Sequence, residues 1–304
     1  MHPTLILGTA MWGWTIPEQR CFELLDAFYA AGFRQIDTAT NYPINKNPND
    51  FRRAETTLKS WIAANGVEDL KIIVKIGSIN NLRSPEHNLS KSFILMNLDD
   101  YRAKFGDNLD MRMVHGDNRD DADATEQTLE ALDEARQCGL QIGLSGIRYP
   151  EVYADLNRKF QFDFHIQFKH NLLKSDYERY SPFHGNERFI AYGINAGGIK
   201  LEAGADHAES SLRARGGDTS EMHPVVAPLR DIIADANAEE KRPKIASMNH
   251  CGMIFAYHSP DVAGILIGPS KPGQLQDSIK FYEQLHQFDY TDVYKKMKTL
   301  AEST

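Results

Sequence analysis

The feature that most constrains this chain is an order of elements that repeats: an apolar strand-like run, then an amphipathic helical stretch, again and again along 304 residues. After the opening run LILGTA, Thr15 and Glu18 have capping-box spacing and Pro17 falls in the first turn. Cys21, Leu24, Leu25 and Phe28 then share one helical face before Gly32. RQIDTAT predicts a second strand and residues 52–65 a helix, followed by KIIVKIG and a helix over 90–105. LDMRMVH precedes an acidic-capped helix over 125–138, closed by Gly139. QIGLSGI, FDFHIQF, RFIAYGI and GILIGPS complete eight strands. Strands that alternate with helices pair in parallel, and eight units without a break in composition predict closure into a single α/β, (β/α)8 TIM-barrel domain spanning 1–304. Ala203 to Glu221, polar and glycine-containing, reads as a long loop.

Composition excludes several classes of partner. A formal charge of -8 without a run of basic residues disfavours nucleic acid. No stretch approaches the roughly 18 apolar residues that span a bilayer, and the start MHPTLILGTAMWGW lacks the pattern of a secretory leader, so a cytoplasmic location is expected. Cys21, Cys138 and Cys251 are odd in number and widely spaced, which reads as three packing residues rather than a disulfide framework. No G-x-G-x-x-G follows the first strand, so a dinucleotide would have to bind in a manner other than the Rossmann one. His165 reads as an interior hydrogen-bonded histidine, and no motif with metal-ligand spacing is present, so no metal is expected.

In a closed barrel the chemistry sits where strands end at the C-terminal face. Asp37 ends the second strand, Tyr42 lies five residues on, Lys75 interrupts the apolar third strand and His115 ends the fourth. A lysine inside an apolar strand needs a partner, and Asp37 on the adjacent strand is suited to be it.

These segments resemble the aldo-keto reductase superfamily. GFRQIDTATNY is similar to the segment with the catalytic Asp and Tyr, IIVKIG to the strand with the catalytic Lys, and MRMVHGDN to the strand with the catalytic His. QIGLSGI, HIQF, FIAYGINAGG and LIGPSKPGQLQDS resemble the cofactor-binding ends of later strands. The resemblance implies reduction of a small-molecule aldehyde or ketone by hydride from NADPH, with Tyr42 as general acid. In that scheme Lys75 polarises the phenol, Asp37 holds the ammonium and His115 orients the carbonyl oxygen. It further implies that Ser145 and Gln167 hold the carboxamide, Tyr192 stacks on the nicotinamide, and Gly197 and Gly198 admit the pyrophosphate. Gly268, Ser270, Lys271, Gln274 and Ser278 are then placed around the adenosine phosphate, Lys271 favouring NADPH over NADH. The chain departs from the family pattern at Gly116, where a bulky residue is usual, and at Gly146, where an Asn is. Gly193, Ile194 and Asn195 replace Ser-Pro-Leu, and Ser278 replaces an Asn.

The loops after Tyr42 and Lys75 are rich in Asn and Arg. Asn45, Lys46, Arg52 and Arg83, with Trp12 and Trp14 as an apolar wall, are therefore candidate contacts for a sugar-like substrate, hydroxylated or anionic. Two other functions fit parts of the pattern: a barrel lyase or isomerase that forms a Schiff base on Lys75, and a non-catalytic nicotinamide-binding subunit that senses redox state.

Overall fold

A computed structural model describes residues 2–185, 188–201, 214 and 223–303. The long loop expected over Ala203 to Glu221 lies, apart from Ala214, outside the described residues. Eight parallel strands close into a barrel. They are β1 (Thr4–Gly8), β2 (Gln35–Ala39), β3 (Lys71–Ile76), β4 (Leu109–His115), β5 (Gln141–Ser145), β6 (His165–Asn171), β8 (Phe189–Tyr192) and β9 (Val262–Ile267). β1 pairs with β9 and β5 with β6, so the described barrel strands have no open edge. A two-residue strand, β7 (Lys174–Ser175), folds back antiparallel on the end of β6.

The helices are α1 (Glu18–Ala30), α2 (Arg53–Asn65), α3 (Lys91–Phe105), α4 (Ala122–Gln137), α5 (Pro150–Phe160), α6 (Val226–Ala238), α7 (Met248–Tyr257), α8 (Pro272–Gln287) and α9 (Thr291–Glu302). Among the described residues none is long and apolar enough to cross a membrane. The periodicity of α1 works as the sequence predicts: Cys21, Leu24, Leu25 and Phe28 are buried. Its start does not. Pro17 occupies the N-cap, with no side-chain cap bond, because residues 12–16 are pulled into a bridge between Trp12 and Ile16 that takes Thr15 out of capping position. α4 begins three residues before the predicted Thr125, where the Asp121 carboxylate accepts the Ala124 N–H at 2.9 Å.

Strand periodicity divides the core into two layers. Ile6, Ile73, Met111, Met113 and Ile190 fill the barrel interior. The larger set packs between the strands and the helices. Gly143 on β5 is required by the inner layer, because a β-carbon there would lie 2.7 Å from Met113 Cε and 2.8 Å from the His165 carbonyl. Cys21 and Cys251 pack in the core as predicted, but Cys138 is exposed at the end of α4, with Arg102 3.4 Å from its sulfur. The helical face that ends at Ala135 turns outward at this position.

Candidate active site

Parallel register places the polar residues on the barrel's inner face. Asp37 pairs with Ile73 and Ala39 with Lys75, so Asp37 and Lys75 are diagonal neighbours on one side of the sheet. Both are essentially sealed, at 1 % exposure each, and form an ion pair through Lys75 Nζ and Asp37 Oδ1. Burial opposes the charge on Lys75, but Asp37 and a hydrogen bond with Tyr42 outweigh it, so its pKa is raised. The ammonium lies 5.0 Å from the centre of the Tyr42 ring. His115 meets that ring edge-on, with ring centres 6.2 Å apart and planes at 89°. Desolvation, reinforced by the Lys75 charge, lowers the His115 pKa to about 3, so the ring is neutral. Its Nδ1 is buried without a hydrogen-bond partner among the described residues.

The other face of Asp37 is held too. Gln167 Nε2 donates to Asp37 Oδ2 at 2.7 Å, and Ser145 Oγ donates to Gln167 Oε1 at 3.1 Å. A chain of bonds thus runs across the barrel from Ser145 through Gln167 and Asp37 to Lys75. Tyr192 ends β8 half-buried and inward-facing, and burial is the main cause of its raised pKa.

The remaining candidates divide. Gly197 and Gly198 have φ of 81° and 101°, in a turn where the preceding Asn195 Oδ1 is buried without a partner among the described residues. Gly268 is exposed, and a β-carbon placed there would meet nothing within 4 Å; Lys271 is the exposed N-cap residue of α8. The N–H and hydroxyl of Ser270 both bond to Gln274 Oε1, at 2.9 and 3.0 Å. Backbone N–H groups at a helix start, a lysine and unobstructed glycines form a donor set that fits a dinucleotide's phosphates. Ser278 does not belong to it. It is 4 % exposed, donating to the Gln274 carbonyl and accepting from Asn249 of α7, because its helical position faces the neighbouring helix.

Three of the expected substrate contacts are buried or paired within the protein. Trp12 is fully buried in the core and offers no wall to a ligand. Arg52 turns away from the mouth to pair with Glu55 and with Asp100 of α3, over the Tyr101 ring. Asn45 is used within the loop, donating to Asp50 at 2.6 Å and accepting from Asn47 N and Asn81 Nδ2, both at 3.1 Å. Lys46 and Arg83 remain exposed at the rim. Arg83 donates to the Ile44 carbonyl at 2.8 Å and stacks 5.4 Å from half-buried Trp14. Lys169, the alternate residue after Gln167 on β6, also faces inward; it is absent from the candidates above, and the alternation in HIQFKHN is the signal that marks it. Among the described residues, no group of three or more His, Cys, Asp or Glu side chains is placed to hold a metal ion.

The model of the Aldo/keto reductase family matches residues 4–298, and the chain belongs to that family. It is 26% identical, over an alignment of 321 residues covering 93% of this chain and 89% of the relative, to Protein tas of Escherichia coli K12, and equally to that of Shigella flexneri. An uncharacterized 11.2 kDa protein from Pseudescherichia vulneris is 38% identical over 78 residues, 25% of this chain and 76% of the relative. Family membership supports oxidoreductase activity on carbonyl compounds with a nicotinamide cofactor.

Proposed function

We infer that the protein reduces an aldehyde or ketone to an alcohol with NADPH, with Tyr42 delivering the proton to oxygen. The observation that carries this reading is the buried Lys75–Asp37 pair hydrogen-bonded to Tyr42 beside a neutral His115. A phenol is a weak acid at neutral pH, and an adjacent fixed ammonium favours its ionised form, which is the form left after proton transfer. Neutral His115 donates from Nε2 to the carbonyl oxygen and stabilises the negative charge that develops there. NADPH supplies the hydride when bound. Tyr192 would carry the nicotinamide, the glycine turn at 197–198 the pyrophosphate, and Gly268 with the α8 start and Lys271 the adenosine phosphate. Ser270 donates there once Gln274 releases it.

The Schiff-base alternative is disfavoured by the same pair, since Lys75 is held as an ammonium and an amine nucleophile must be neutral. The test is NADPH oxidation across a panel of aldehydes and ketones by wild type and Tyr42→Phe, with nucleotide affinities measured by fluorescence. Tyr42→Phe should bind NADPH like wild type and lose about 10²–10⁴-fold in turnover; near-normal turnover overturns the assignment. Lys271→Ala should reduce the ratio of NADPH to NADH affinity, and an unchanged ratio removes Lys271 from the phosphate site.

A further inference from the structure

Three strand ends in one sector of the barrel mouth carry glycine. The residue after β4, the residue after β5 and the residue after β8 are glycines, Gly116, Gly146 and Gly193, with φ of 76°, 67° and 68°. These three positions are among the chain's departures from its family. A β-carbon on Gly116 would come within 4.0 Å of Ser78 Oγ alone, and one on Gly146 would come no nearer than 3.6 Å, to the Gly116 backbone. One on Gly193 would meet only Lys169 Cγ, at 3.7 Å. Among the described residues there is room here for side chains, and these three positions supply none.

β6 stands between β5 and β8 in the barrel, and it contributes the charge. Lys169 is in register with Tyr192 and has the same inward parity as Gln167, about 7 Å nearer the mouth. It is partly buried, and among the described residues no carboxylate lies within 4 Å of its ammonium. Asp176 is the acid tied to it through backbone, its N–H donating to the Lys169 carbonyl at 2.9 Å. That carboxylate faces Arg179 at 3.1 Å and Lys174 at 4.0 Å instead. The other acids described around the mouth are likewise engaged: Asp50 by Arg53, Asp117 by Arg119, and Asp37 by Lys75. An ammonium on the inner wall with no counter-charge among the described residues is suited to an anion from outside.

We propose that Lys169 anchors a carboxylate or phosphate carried by the carbonyl substrate, and that the glycine-lined sector between β4 and β8 admits the substituent that bears it. This rests on the reductase reading above. In that reading the pyrophosphate falls to the glycine turn after β8 and the adenosine phosphate to the α8 start after β9, whereas Lys169 stands on β6, on the other side of β8 from β9.

The experiment uses benzaldehyde and 4-carboxybenzaldehyde with NADPH, in wild type, Lys169→Met and Lys169→Arg. The readout is the ratio of the two kcat/KM values within each variant, so a general loss of folding cancels. Wild type should favour the carboxylate about ten-fold, the tenfold step that 1.4 kcal/mol provides. Lys169→Met should bring the ratio near one through KM, and Lys169→Arg should restore most of it. In parallel, binding of 4-(hydroxymethyl)benzoate and of benzyl alcohol to the NADP+-loaded protein reads the same preference without turnover. A wild-type ratio near one in the turnover or binding arm, or one that Lys169→Met leaves intact, overturns the proposal. So does a Lys169→Met variant that loses NADPH affinity while keeping the preference, which would assign the lysine to the cofactor. Preferential binding of the benzoate without reduction of either aldehyde would keep the anion site and sink the reductase reading instead.

Discussion

Gln167 reaches across the barrel to donate its amide to Asp37, at 2.7 Å, on the carboxylate oxygen opposite the one that holds Lys75. The residue that the family resemblance assigns to the nicotinamide carboxamide is therefore also a brace for the proton-donor assembly. Gln167→Leu should lower kcat at saturating NADPH by about ten-fold or more, the scale of losing a hydrogen bond to a buried charge. It should weaken nucleotide binding as well. A change confined to nucleotide affinity, with kcat intact, would leave Gln167 with the cofactor role alone.

Breaking the pair from the other side has a different signature. Lys75→Met strands the Asp37 carboxylate, 1 % exposed, and should cost about 3–5 kcal/mol of stability in chemical denaturation together with nearly all turnover. The double variant Asp37→Asn/Lys75→Met removes both charges, so it should recover much of the stability and none of the activity. Recovered activity in the double variant would show that the ammonium is not what polarises Tyr42.

The eight barrel strands and the positions of Asp37, Tyr42, Lys75 and His115 were legible because they follow from local periodicity and from the order of strand ends. What side chains do across helices was not. Arg52 sits in an Asn- and Arg-rich loop that reads as substrate-facing, yet its partner Asp100 is 48 residues away on α3, and no local pattern announces that meeting. Trp12 looked available because it follows a strand, but the 12–16 bridge folds it into the core. Ser278 and Asn249 meet only because α7 and α8 pack side by side. Lys169 was readable in principle, since strand parity alone puts it on the inner face.

Arg52 provides a clean contrast between the two roles a loop arginine can take. It shares Glu55, which is 1 % exposed, with Lys104, and it lies over the Tyr101 ring that Lys104 and Arg112 also flank. Arg52→Met should lower stability by about 1–3 kcal/mol and leave relative KM values across a panel of carbonyl compounds unaltered. A selective rise in KM for hydroxylated or anionic substrates would return Arg52 to the substrate pocket.

The histidines set the acid limit of stability. Burial lowers the pKa of His165 and of His170 to about 4, and burial with the Lys75 charge takes His115 to about 3. Above the ordinary histidine value of 6.5 these rings are neutral whether the chain is folded or not, so they make stability independent of pH. As pH falls below 6.5, the unfolded chain binds protons that the folded one refuses, and stability declines until the folded rings titrate near pH 4 and below. The lowered carboxylates, Asp50, Asp117 and Asp292 among them, act in a lower window, below their ordinary 3.8. Burial also lowers His250, His258 and His286, so urea unfolding should show nearly full stability at pH 7.5 and a steep loss between pH 6 and 4.5, with uptake near pH 5 of roughly three protons by His115, His165 and His170 and a further contribution from the other three rings. His170 is the ring to remove, since among the described residues its two nitrogens bond to Ser175 and Ser259, each at 2.8 Å. His170→Gln should cut the uptake on unfolding near pH 5 by about one proton even if it lowers absolute stability. A slope unchanged by that substitution, or a stability flat from pH 7.5 to 4.5, would show that the buried rings already accept protons in the folded protein.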